Sequence, residues 1–121
     1  MWSNADSNFE YYVTPDSTNY VYKGSIGGSG GALAVTTTYT GSFSNTIESA
    51  EIKFDNAEEW STTGSSSAYD VQSIAAHEFG HFLGLDHSNI YKATMYDSLG
   101  EGDTRFRTLA EDDKNGINAI Y

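Results

Sequence analysis

The segment AAHEFGHFLGLDHS, Ala75 to Ser88, holds all three histidines of the chain, His77, His81 and His87, with Glu78 directly after the first. On a helix, His77 and His81 lie one turn apart on the same face, their Cβ atoms roughly 5–6 Å apart. Two imidazoles so placed can share a tetrahedral zinc at Zn–N distances of about 2.0–2.1 Å. Gly84 supplies a left-handed C-terminal stop, so the chain can turn and bring His87 back to the same ion. Three protein ligands leave a fourth position open, which is the pattern of a catalytic rather than a structural site. Glu78 sits beside that face, near enough to act on a zinc-bound water without ligating the metal. A lone histidine is usually a satisfied polar residue, and H-E-x-x-H by itself is only moderately specific. Here the longer H-E-x-x-H-x-x-G-x-x-H is complete.

Working outward, Ser67–Gly84 changes from strand-like to helical period. Ser67 with Asp70 resembles a capping box, and Val71, Ile74, Ala75 and Phe82 fall close to one apolar stripe. Upstream, Asn8–Asp16 reads as a strand ended at Pro15, and Tyr20–Gly24 as a short second strand. Ala32–Thr40 is β-branched and aromatic, a strong strand signal, and Glu48–Phe54 alternates enough to make another. Between the latter strands and the helix, Asp55–Ser67 reads as a polar connection. The glycine loop Ser25–Gly31 lacks a following Lys-Ser/Thr and helix pattern, which rejects a phosphate-binding P-loop. After Gly84 a long loop, Leu85–Thr108, leads to a final helix from about Ala110. Several strands followed by two helices make the expected fold class α+β, in one domain spanning 1–121.

Composition sets limits on partners. With 17 acidic against 6 basic residues the formal charge is −11, which repels phosphate backbones and anionic lipid. Nucleic-acid and membrane partners are therefore not expected. Divalent cations would offset part of that repulsion; equally, acidity keeps a secreted protein soluble. There is no cysteine, so thiol chemistry and disulfides are excluded. No run in the sequence reaches membrane-spanning length.

The extended histidine motif resembles that of the metzincin metallopeptidases, and Ser88 after His87 is similar to their matrixin branch. IKFDNAEEW (52–60) resembles the family's F-D-x-D-E-x-W stretch, with Ala57 at the second aspartate. ATMYDS (93–98) resembles the Met-turn, and LAEDDKNGINAIY (109–121) the final helix, with Asp112 and Asp113 as its paired aspartates. GGSGGALAVTTTYT (27–40) looks like the loop and edge strand above the cleft in bacterial and archaeal relatives. The resemblance implies a zincin fold, with a small twisted mixed sheet, the active-site helix beneath it, a Met-turn loop and a C-terminal helix. It also implies a zinc endopeptidase in which Glu78 accepts and later delivers the water's proton. Peptide or protein substrate would lie along Leu33–Thr37, with Leu33, Ala34 and Leu99 contacting it, and Met95 would form a hydrophobic floor beneath the metal. It also implies a secreted or cell-surface setting.

Several positions depart from the family pattern. Val35 and Lys53 stand where the family's structural zinc has histidines, so a second zinc is not expected. Asp55 and Glu58 match two acids of a family calcium site, with carbonyls of Gly28, Gly30 and Ala32 available, but Gly27 replaces its loop carboxylate. Calcium is therefore left open, since it needs six to eight oxygens. Asp97 replaces the Met-turn proline, and Leu99 the tyrosine of the primary side-chain pocket. WSNADSNFEYYV (2–13) resembles the end of the family's first helix entering its second strand, so the first strand and most of that helix would be missing. An N-terminal segment, a propeptide or an oligomer partner is then expected to cover Phe9, Tyr11 or their neighbours. Two alternatives stand beside the enzyme: an impaired metzincin fold that binds zinc and peptide without turnover, and a calcium-dependent surface interaction module.

Overall fold

A computed structural model of the chain describes residues 19–28, 30–43 and 45–121. The strand expected at 8–16, and the expectations about Phe9 and Tyr11, lie outside the described residues. Among the described residues three strands form the main sheet, in the order β1 (Tyr20–Gly24), β3 (Ile47–Asp55), β2 (Ala34–Thr40). β1 runs parallel and β2 antiparallel to β3, so the sheet is mixed. In β3 the side chains alternate as the pleat requires: Ala50, Ile52 and Phe54 are buried, while Glu51 and Lys53 are only partly covered. Val35 and Lys53, which stand at the family's histidine positions, are register partners across β2 and β3.

The central helix α1 runs Val71–Phe82, shorter at its start than the sequence pattern implied. The cap is Asp70, whose carboxylate accepts the Ser73 N–H at 2.9 Å; Ser67 instead bonds the Ser65 hydroxyl. A second correction concerns the polar connection. Trp60–Ser61 (β4) and Tyr69–Asp70 (β5) pair in parallel and bring the chain to the helix start. Trp60 sets this corner by donating its indole N–H to the Asp55 carbonyl at 2.8 Å and packing edge-on against Phe54.

Ile74 joins Ile52, Phe54, Leu99 and Phe106 in the core between helix and sheet, with Ala75 and Phe82 packed at its margin. Past Gly84 the loop contains one 3-10 turn, Arg105–Arg107, before α2 (Glu111–Ile120). Arg107 makes a two-pronged contact with the fully buried Asp70 carboxylate at 2.6 and 2.9 Å. That contact ties the 3-10 turn to the N-terminus of α1.

Candidate metal centre and cleft

Helix α1 carries His77, Glu78 and His81 toward the edge strand β2, and a helix stop returns the chain for the third ligand. Gly84 has φ +99°; its N–H bonds the His81 carbonyl and the Leu85 N–H the Gly80 carbonyl, both at 2.9 Å. This is a Schellman end, as expected of Gly84. His87 follows three residues later.

The Nε2 atoms of the three imidazoles converge, 3.1 Å apart for His77 and His81, 3.2 Å for His81 and His87, and 3.3 Å for His77 and His87. Nitrogens placed tetrahedrally at about 2.0–2.1 Å from one ion are roughly 3.3–3.4 Å apart. The triangle fits a zinc ion to within a few tenths of an ångström, and the three residues form a group able to hold a metal. Tautomers are set from behind. His77 Nδ1 lies 2.7 Å from the Thr94 carbonyl, and His81 Nδ1 2.7 Å from the Leu85 carbonyl. A carbonyl only accepts, so each Nδ1 carries the proton and each Nε2 offers a lone pair inward.

Burial pushes the His77 imidazole down to about 4; the bond to Thr94 and the Asp113 carboxylate oppose that shift, and the neighbouring imidazoles add to it. His77 is therefore neutral at physiological pH, the form that ligates metals. Glu78 is buried beside the triad, and its Oε2 accepts the Thr36 hydroxyl at 2.5 Å. Burial raises its carboxyl above the ordinary value, while Thr36, His81 and His87 pull it partly back.

Met95 lies under the site, almost fully buried. A Cβ at Gly80 would stand 2.1 Å from the Met95 sulfur, so a side chain there would have to push the buried methionine aside. Asp113 accepts the Thr94 and Met95 N–H groups at 2.9 and 3.0 Å and the Ala110 N–H at 2.7 Å. Asp112 accepts the Ser88 hydroxyl. The paired aspartates thus fasten α2 to both segments that carry or back the histidines. Phe106 stacks on His77 with centroids 5.7 Å apart and planes at 17°.

An open cleft of about 700 Å³ runs over the site, lined by Leu33, Ala34, Thr36, His77, Glu78 and Leu99 among others. Leu33 and Ala34 lie on the wall beside β2, an edge strand among the described residues. Leu99 faces the cleft while buried in the core. The calcium candidates are Asp55, the last residue of β3, and Glu58 in the turn that follows. Glu58 accepts the Gly30 N–H at 2.8 Å, joining the glycine loop to the turn after β3. Asp55 is fully buried; Oδ1 accepts the Ala57 N–H at 3.0 Å, and Oδ2 has no hydrogen-bond partner among the described residues. Asp55 and Glu58 belong to no cluster of three metal-ligating side chains there.

The sequence does not single out Gly80, Thr94, Phe106 or Arg107 as site residues, and it places Thr36 only within the substrate-bearing segment, without its contact to Glu78. Only Gly80 left a local trace, a glycine inside a helical pattern.

A helix-borne H-E-x-x-H with a third histidine returning after a glycine, above a buried methionine and below a mixed sheet, defines the metzincin class. The sequence profile described as matrixin matches residues 2–121, and the chain belongs to that family. Matrix metalloproteinase-27 of Homo sapiens is 44% identical over 68 residues, 56% of this chain and 13% of that protein. Metalloendoproteinase 1 of Glycine max is 43% identical over 74 residues, 56% of this chain and 24% of that protein. Stromelysin-3 of Xenopus laevis is 40% identical over 82 residues, 65% of this chain and 16% of that protein. The matched part is thus less than a quarter of the length of each of these relatives. Among the described residues no helix is long and apolar enough to cross a membrane.

Proposed function

We propose that the chain is a zinc-dependent endopeptidase, a single metallopeptidase catalytic domain over 1–121 that cleaves protein or peptide substrates. The observation that carries this is the convergence of three inward-facing Nε2 atoms beside a buried carboxylate, on the floor of an open cleft. His77, His81 and His87 would hold the ion. Zinc bound there supplies a Lewis acid beside the scissile carbonyl and makes water a stronger nucleophile. Glu78 accepts the proton of the attacking water and delivers it to the departing amine. An extended substrate pairs with β2, an edge strand among the described residues, through main-chain hydrogen bonds, with Leu33 and Ala34 beneath it and Leu99 in the adjoining pocket. Similarity to proteins named matrix metalloproteinases and collagenases supports a secreted or cell-surface setting. Calcium at Asp55 and Glu58 is a second proposal, supported by the buried Oδ2 of Asp55, which has no hydrogen-bond partner among the described residues.

The test is cleavage of an unfolded generic protein by the zinc-loaded chain, with and without a chelator, beside Glu78→Ala. Activity lost in both is expected. Stoichiometric zinc with no cleavage by the unaltered chain would replace the enzyme by a zinc- and peptide-binding module.

A further inference from the structure

Within β2 the side chains of Ala34 and Thr36 are half-buried, while Val35 and Thr37 are exposed. Thr36 therefore points from the edge strand toward α1. Its hydroxyl lies 2.5 Å from Glu78 Oε2 and 3.1 Å from the Glu78 main-chain carbonyl. A hydroxyl has one proton to donate, and the shorter, charge-assisted contact to the carboxylate takes the larger share of it. Threonine is stiff at χ1, and Thr36 is fixed in register opposite Ile52. The hydroxyl is thus a rigid peg on the strand.

We propose that Thr36 is a positioning residue that holds Glu78 Oε2, so that Oε1 alone is presented to the attacking water. This rests on the endopeptidase reading of the site and adds to it. A glutamate side chain has three rotatable bonds before its carboxylate, and an unanchored carboxylate samples several orientations. The peg removes that freedom. It also sits on the same strand that would carry the substrate, so base and scissile bond share one frame, and small errors of placement in such a frame are costly in rate.

The proposal is tested with Thr36→Val, which keeps the β-branched shape and deletes the hydroxyl, and with Thr36→Ser, which restores it. In metal-free protein the 13C shift of the Glu78 side-chain carboxyl, assigned through Glu78→Gln, should move in Thr36→Val and return in Thr36→Ser. In zinc-loaded protein Thr36→Val should lower kcat about 10-fold or more with KM little changed, while zinc stays at one per chain. Thr36→Ser should recover most of kcat. An unmoved carboxyl resonance, or a Thr36→Val enzyme with unaltered kcat, overturns the role of Thr36. Absence of cleavage by the unaltered protein fails the enzyme reading instead, and the metal-free resonance still decides whether the peg exists.

Discussion

The carboxylate of Asp113 holds the main-chain N–H of Met95 at 3.0 Å, linking the terminal helix to the floor of the histidine site. The same carboxylate takes the N–H of Thr94, whose carbonyl orients His77. Asp113→Ala would leave the buried N–H groups of Thr94 and Met95 and the part-buried N–H of Ala110 without their acceptor. A loss of about 3 kcal/mol or more is expected, read from urea unfolding, together with weaker zinc binding. Asp113→Asn keeps one acceptor oxygen and should lose less on both measures.

Gly80 and Met95 form a contact in which a single added carbon has no room. Alanine at position 80 would gain about 1 kcal/mol of helix propensity, yet overpacking of this kind costs about 1–3 kcal/mol. Gly80→Ala should therefore destabilise the domain on balance. Adding Met95→Ala should relieve part of the loss, so a double-mutant cycle is expected to show coupling between the two positions.

In metal-free protein, His77 gives stability a defined pH dependence. Its folded value lies near 4, below the ordinary 6.5. Above 6.5 neither state is protonated at this residue. As pH falls from 6.5 toward 4 the unfolded chain binds a proton that the folded chain refuses, and stability is lost over that window. The full effect is about 3 kcal/mol. Urea titrations across this range should show the decline, and His77→Gln should flatten it.

Arg107 and Asp70 make a further test, because their contact joins the 3-10 turn to the start of α1. Burial alone would raise the Asp70 carboxyl, but hydrogen bonds from Arg107 and Ser73 outweigh it and hold it below the ordinary value. A depressed carboxyl contributes stability above its unfolded pKa and loses it in acid. Arg107→Ala should lower the melting temperature at neutral pH, and the gap to the unaltered protein should narrow below about pH 4.

The histidine helix, Gly84 and the final helix were legible because their signals are local: i, i+4 spacing, a glycine stop, and an acidic first turn. The strands were legible for the same reason, since β3 alternates within nine residues, but their parallel and antiparallel pairing came only with the family resemblance. The helix start is ambiguous in sequence because Ser67 and Asp70 both suit a cap; Asp70 is chosen where β5 pairs with β4 at Trp60 and Tyr69, outside the helix's own period. Thr36 with Glu78 and Asp70 with Arg107 are separated by 42 and 37 residues. No periodicity within one element announces such pairs; they exist only once sheet, helix and loop have packed. Asp55 and Glu58 were visible as acids, but an acidic side chain looks the same in sequence whether it faces solvent or a cavity.

X-ray absorption at the zinc edge of the loaded protein examines the centre most directly. One zinc per chain is expected, with three imidazole nitrogens and one non-protein oxygen at about 2.0–2.1 Å, and any single substitution of His77, His81 or His87 should abolish that pattern. A fourth side-chain ligand closing the coordination sphere, or fewer than three imidazoles around the metal, would contradict it.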